Sequence, residues 1–290
     1  MNKFVITLLS MLAISVTAGD ITGAGATFPY PIYSKWAEAY KKESNIGLNY
    51  QSIGSSGGIR QIDAKTVTFG ATDAPVAGDK LAANGQVQFP AIIGGTVAIV
   101  NLEGFKPGEL RITGAVLAEV YLGDITKWND PRLTALNPVK WPAASSVGGK
   151  GNEGVAANVQ RVKGAIGYVE YAYVKKNNLV FLQLQNRNGK YVSPDDLTFA
   201  AAAAGADWFS VPGMGISIVD QKGDATWPIS TASFIIMYKE PSDKAASQDV
   251  LKFFDWAFRN GRKMAEELDY VALPDSVTAK IRSQVWSQIK

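Results

Sequence analysis

The sequence predicts an α/β fold in which mainly parallel strands are flanked by helices, and three observations predict it. Residues 48–71 read strand, Gly-rich loop, helix, strand, which is the repeating unit of a parallel sheet. Residues 91–100 (Ala-Ile-Ile-Gly-Gly-Thr-Val-Ala-Ile-Val) are apolar almost throughout, as in a strand buried on both faces. The C-terminal part carries its apolar residues at helical spacing. With 290 residues the chain can hold one large domain or two lobes of ordinary size.

From the N-terminal side, residues 31 to about 43 place Ile32, Trp36, Ala39 and Tyr40 on one helix face and Lys35, Glu38, Lys41 and Lys42 on the other. Pro29 and Pro31 suit the entry to that helix, where a missing N–H costs nothing. Residues 48–53 read as a strand, and Ser55-Ser56-Gly57-Gly58 opens a second helix carrying Ile59 and Ile62. Residues 67–71 form a short strand ending at Thr72-Asp73-Ala74-Pro75. Beyond the buried strand, Thr113 is placed to cap a helix through Tyr121. Asn152 begins a helix through Val162, followed by a strand over 164–169. Residues 175–215, with the alanine run from Ala200 to Ala204, give weak signals. Residues 233–238 are strand-like. After them Val250, Leu251, Phe254 and Phe258 share one helix face, and Val277, Ile281, Val285 and Ile289 form a stripe.

Composition removes whole classes of chemistry. The chain is 47% hydrophobic and 19% charged, which is globular and neither disordered nor membrane-like. A formal charge of +3, with basic residues spread along the chain, excludes a nucleic-acid footprint. The absence of cysteine excludes disulfides, thiolate metal sites and a lipidated cysteine. The absence of histidine excludes Ser-His-Asp hydrolysis and His-ligated metal hydrolysis. Residues 1–18 have the form of an export signal: Lys3, an apolar stretch over 4–16, and Val16-Thr17-Ala18 as a small-residue exit. Cleavage after about Ala18 and a soluble periplasmic product are expected.

Three short loops carry the chemical interest. They are Thr22-Gly23-Ala24-Gly25-Ala26-Thr27-Phe28-Pro29, Gly54-Ser55-Ser56-Gly57-Gly58 and Ala71-Thr72-Asp73-Ala74-Pro75. The first two run into helices, whose starts expose unpaired N–H groups and the positive end of the macrodipole. Small residues let an anion approach those groups closely. Thr27 and Ser55 add hydroxyl donors. The same residues are also ordinary caps and turns, and spacing alone leaves both readings open. Asp73 would repel a fully ionised anion but accept a hydrogen bond from one that keeps a proton, as phosphate does. An Asp before Ala-Pro can also simply start a turn.

Other clusters are weaker. Gly148-Gly149-Lys150-Gly151-Asn152-Glu153-Gly154 lacks the GxxxxGK[ST] order of a nucleotide loop. Trp128, Trp141, Tyr168, Tyr171 and Tyr173 read as core and lobe-edge packing before stacking platforms. Glu266 and Glu267 sit on a charged helix face.

With these loops in hand, the chain resembles the PstS family, the periplasmic phosphate-binding component of the phosphate ABC transporter. The likeness rests on TGAGATFP, the Lys35-Trp36 helix, YQSIGSSGG, FGATDAP and YLGDITKW, and resumes at Val139-Lys140-Trp141-Pro142. It continues through GGKGNEGVAANVQRVKGAIGYVEYAY, LKFFDWAF and LDYVALPDSV. The resemblance implies a two-lobed, type II periplasmic-binding-protein fold of mainly parallel sheets with flanking helices. Lobe one would be residues 19–91 plus 228–290, and lobe two residues 92–227. It further implies a monomer with no enzymatic activity, no cofactor and no metal, which hands inorganic phosphate to ABC permease subunits in the inner membrane. The family's ligand residues fall on Thr27, Phe28 (through its backbone N–H), Ser55, and Asp73 as acceptor of the phosphate proton.

One departure stands out. Family members carry a segment of the type R-x-D-G-S-G-T after the LNP stretch, whose Arg, Ser, Gly and Thr form the opposing half of the phosphate cage. Here Leu136-Asn137-Pro138 joins directly to Val139-Lys140-Trp141-Pro142. Lobe two is therefore expected to be shortened and phosphate affinity impaired. Binding of another tetrahedral oxyanion such as arsenate, sulfate or molybdate, or a secreted phosphatase-like activity, are the alternative functions.

Overall fold

A computed structural model describes residues 20–137 and 149–290. The expected export signal, Trp141, Gly148 and the Pro138–Val139 junction lie outside the described residues. Among those described, no helix is long and apolar enough to cross a membrane.

Strand β1 (Ile21–Gly25) is followed by helix α1 (Tyr30–Ser44), β2 (Leu48–Ser52), α2 (Ser55–Asp63) and β3 (Phe69–Thr72). The three strands are parallel, in the order β2-β1-β3, as the strand–loop–helix pattern requires. Helix α1 forms because Ile32, Tyr33, Trp36 and Tyr40 make one buried face, with Pro31 in its first turn. Asn45 ends it in the left-handed conformation, at φ 59°. Helix α3 (Gly78–Ala83) leads into β4 (Gln86–Val100), a 15-residue strand buried along nearly its whole length.

Beyond β4 come β5 (Arg111–Ile112), α4 (Gly114–Leu122), α5 (Pro131–Leu136) and α6 (Gly151–Arg161). Thr113 caps α4 as its type suggests, its side chain accepting from the Val116 N–H at 3.2 Å. Next are β6 (Ile166–Glu170), α7 (Tyr171–Lys176), β7 (Val180–Phe181), β8 (Gln183–Gln185), β9 (Tyr191–Val192) and α8 (Asp196–Ala203). The chain returns through β10 (Ser230–Tyr238) and closes with α9 (Lys244–Asn260), α10 (Arg262–Glu266) and α11 (Asp275–Lys280). The C-terminal apolar stripe buries Ile281, Val285 and Ile289, but α11 relaxes into a π turn over Ile281–Val285 and a 3₁₀ turn after it.

The sheet is mixed where mainly parallel pairing was expected. In the seven-stranded sheet β1, β2 and β3 are parallel, whereas β10 is antiparallel to β3 and β4, and β4 to β6 and β7; in a separate three-stranded sheet β8 is parallel to β5 and antiparallel to β9. The reason is topological. Strand β4 carries the chain from one core to another and β10 brings it back, so the two run in opposite directions.

Two large hydrophobic cores result, with a smaller cluster of Ala24, Ile62, Val67, Leu81 and Ile236. The first gathers Trp36, Phe69, Phe89, Phe234, Phe254 and Tyr270 with their neighbours; the second gathers Val97, Ile99, Trp128, Val159, Tyr173 and Phe199 with theirs. Trp208, Met214 and Ile218 pack into the first core, although their stretch of sequence was expected in lobe two. Trp128 and Tyr173 are buried as expected for core aromatics, but Tyr168 is 56% exposed. It stands edge-to-face with the exposed Tyr121 beside a groove of about 650 Å³ between α4, α6 and β6.

Candidate functional site

Strand register decides where the site lies. Gly25 at the end of β1 pairs with Ser52 at the end of β2 and with Ala71 in β3, so the three Gly/Ser/Thr loops leave the same edge of the sheet together. That edge, beyond the carboxyl ends of parallel strands, is where α/β folds bind ligands. The Gly25 carbonyl accepts from the Ile53 and Gly54 N–H groups at 3.0 and 2.8 Å, and the Ala26 N–H reaches the Ala71 carbonyl at 3.0 Å. Helix α2 lies close upon this edge, because Gly58 puts its Cα where any Cβ would strike Gly25 and the Ala24 and Ala71 carbonyls.

Ser55 and Asp73 are brought together, with the Asp73 N–H donating to Ser55 Oγ at 3.1 Å. Asp73 Oδ1 is buried and has no hydrogen-bond partner, and Thr231 Oγ1 donates to the Asp73 carbonyl at 3.2 Å. Burial pushes the Asp73 carboxyl up to about 7, with the nearby Ser233 and Ser55 hydroxyls offsetting part of the effect. A buried acceptor without a donor is costly, so the position suits a ligand that brings a proton.

The first loop is held from behind by tyrosines. The hydroxyls of Tyr50, Tyr173 and Tyr270 donate to the carbonyls of Ala26, Thr27 and Phe28 at 2.7, 2.8 and 2.6 Å. Three consecutive carbonyls are thus tied down by hydroxyls from three separate parts of the chain. The Tyr270 oxygen also lies 2.7 Å from Glu170 Oε2. The Tyr270 hydroxyl is thus placed to donate to the Phe28 carbonyl and to the Glu170 carboxyl. Burial raises the Glu170 carboxyl well above its ordinary range, and the Tyr270 hydroxyl and the Ala172 and Tyr171 N–H groups offset part of that shift.

Elements around the second core close in on Thr27. The Asn152 N–H and Nδ2 both donate to Thr27 Oγ1, at 3.2 and 2.7 Å, and Glu153 Oε1 accepts from Ser52 Oγ at 3.1 Å. Asn152, Glu153, Glu170, Tyr173 and Tyr270 were not singled out for the site from sequence. Asn152 and Glu153 did lie in the Gly-rich stretch weighed as a nucleotide loop, where Gly151 to Gly154 instead form the first turn of α6 after its N-cap Lys150. Chemically, the edge offers N–H and hydroxyl donors around one buried acceptor.

Comparisons with known proteins agree with this architecture. A family model described as a PBP superfamily domain matches residues 14–260. The chain is 44% identical over 327 aligned positions to the phosphate-binding protein PstS of Pasteurella multocida, covering 98% of this chain and 94% of that one. It is 45% identical to PstS of Haemophilus influenzae, covering 94% of each. Among solved structures, a high-affinity periplasmic phosphate-binding protein (PfluDING) with bound phosphate superposes with a TM-score of 0.69 at 17% identity, over 91% of this chain and 93% of that one. A Clostridium perfringens protein described as a putative phosphate ABC transporter substrate-binding protein gives a TM-score of 0.60 at 14% identity, over 88% and 100%. These structural likenesses fix the fold as that of a periplasmic binding protein. By extent and identity of match, the chain belongs to the PstS family of phosphate-binding, non-enzymatic transport proteins.

Proposed function

We propose that the exported chain binds inorganic phosphate at the shared edge of β1, β2 and β3 and delivers it to an ABC import permease, with lower affinity than its relatives. The observation that carries the first part is Asp73: a buried, unpartnered carboxylate oxygen beside Ser55 and the donor-rich loop at Thr27 and Phe28. Thr27 Oγ, the Phe28 N–H and Ser55 Oγ would donate to phosphate oxygens, while Asp73 would accept the phosphate proton. Residues 19–91 and 228–290 would form one lobe and 92–227 the other, with about residues 1–18 directing export and then being removed.

The reduced affinity rests on the join at Pro138 and Val139. The alignment with the Pasteurella relative extends over 327 positions, more than the 290 residues of this chain, so that relative carries material this chain lacks. If that material holds the opposing Arg, Ser, Gly and Thr, the loss is large. Removing one buried charge-paired partner typically costs ~2–5 kcal/mol, or roughly tenfold to several-thousand-fold in affinity.

Isothermal titration of residues 19–290 with phosphate, arsenate and sulfate tests this reading. Saturable binding of phosphate and arsenate, with sulfate much weaker at alkaline pH, supports it. Absence of phosphate binding at ~10 mM, a Kd range that corresponds to under ~3 kcal/mol, overturns it.

A further inference from the structure

We infer that Asn152 is a positioning residue of the anion site, which fixes the Thr27 hydroxyl as a donor. The inference rests on the phosphate-site reading above and adds a residue to it. Asn152 Oδ1 accepts from the Glu170 N–H at 2.7 Å. A backbone N–H can only donate, so this contact settles which end of the amide is oxygen, and Nδ2 must face Thr27. Nδ2 and the Asn152 N–H then both donate to Thr27 Oγ1, at 2.7 and 3.2 Å.

A threonine hydroxyl has two lone pairs and one proton. With both lone pairs occupied by Asn152, the proton is the remaining hydrogen-bonding capacity of Thr27, and it is free to serve a ligand oxygen. Thr27 would otherwise be ambivalent and could bond an anion, a cation-bound water or a donor ligand. Asn152 makes the side chain selective for acceptors. The close approach is built into the backbone: Gly151 sits at φ +66°, and a Cβ there would come within 3.0 Å of Thr27 Cγ2. Because α6 packs on the second core and Thr27 lies among first-core residues, the contact also spans the two cores.

The test is a double-mutant cycle on phosphate affinity with Asn152→Ala, Thr27→Val and the pair. Asn152→Ala is expected to weaken phosphate by about threefold to tenfold in the otherwise unchanged chain, and by less than about twofold when Thr27 is already Val. Equal losses in the two backgrounds, or no loss in either, would overturn the inference.

Asn152→Asp supplies a readout that a purely structural tie would not move. The carboxylate keeps the bond from the Glu170 N–H but turns its other oxygen into an acceptor, so Thr27 donates inward, away from the ligand. The expected outcome is a ligand-free Tm close to that of the unsubstituted chain with phosphate binding weakened more than by Asn152→Ala. Retained affinity in Asn152→Asp contradicts the assigned role. If the unsubstituted chain binds no phosphate, the functional reading fails and the inference is judged without ligand. In that case the Asn152 side-chain amide resonances must shift when Thr27 becomes Val, and unchanged resonances refute it.

Discussion

The Tyr173 hydroxyl donates to the Thr27 carbonyl at 2.8 Å, from helix α7, whose Tyr173 and Val174 pack in the second core and whose Ala172 packs in the first. In a trans peptide the C=O of one residue and the N–H of the next point in opposite directions. Holding the Thr27 carbonyl therefore aims the Phe28 N–H the other way. Tyr173→Phe removes the hydroxyl and little volume. Phosphate affinity is expected to fall by about threefold to tenfold, the value of one hydrogen bond, with a smaller effect on ligand-free stability. Titration calorimetry beside a thermal melt separates the two.

Anion selectivity should depend on pH through Asp73, whose carboxyl is pushed up to about 7 by burial. Above that value the carboxylate needs a proton from its ligand, which phosphate supplies and sulfate does not. Below it the acid itself can donate to a sulfate oxygen. The phosphate-to-sulfate affinity ratio is expected to rise between about pH 5 and about pH 9, measured by competition titration. A ratio that is flat or falls across that interval contradicts the assignment.

The same shift has a stability consequence of definite sign. The folded-state pKa of Asp73 lies above its ordinary value of 3.8, so the folded form binds the proton more tightly than the unfolded form does. Its contribution to stability is fully present below the ordinary value and is lost as pH rises through about 7. Asp73→Asn removes the ionisation. The ligand-free variant is expected to melt higher than the parent at about pH 8, with the gap shrinking toward acid. A gap that grows on acidification would reverse the sign and refute the burial argument.

Gly58 tests the packing of α2 on the strands. A Cβ at this position would lie 2.5 Å from Gly25 Cα, 2.6 Å from the Ala24 carbonyl oxygen and 2.8 Å from that of Ala71. All three are backbone atoms of two sheet strands and cannot swing aside. Gly58→Ala is expected to cost ~1–3 kcal/mol or more, and to lower Tm by several degrees, despite the better helix propensity of alanine. An unchanged melt would show that α2 can lift without penalty.

Much of this was legible in the sequence, and the failures are instructive. Helices α1, α2, α4 and α6 fall within a few residues of their predicted spans because each has a clear apolar stripe or cap. Thr27, Ser55 and Asp73 stood out as candidates because small polar residues cluster where strands end, whereas Phe28 was named only through the family resemblance. Antiparallel pairing of β10 with β4 was not readable, since a strand buried on both faces looks alike in either direction. Helix α8 was overlooked although Asp195 and Thr198 form a reciprocal cap at its start, because its alanine run carries no stripe. Asn152, Tyr173 and Tyr270 reach the site from 125, 146 and 242 residues away, and no local pattern announces such partners. Tyr168 looked like core, yet the groove beside it leaves its ring exposed.

The most direct measurement is a side-by-side phosphate titration of this chain and of a version into which a segment of the type R-x-D-G-S-G-T is inserted between Pro138 and Val139. Restoring an opposing half to the cage should tighten phosphate binding by at least about tenfold, while Asp73→Asn weakens both forms. Equal affinity in the two forms would contradict the account, because the edge built by Thr27, Phe28, Ser55 and Asp73 would then suffice alone.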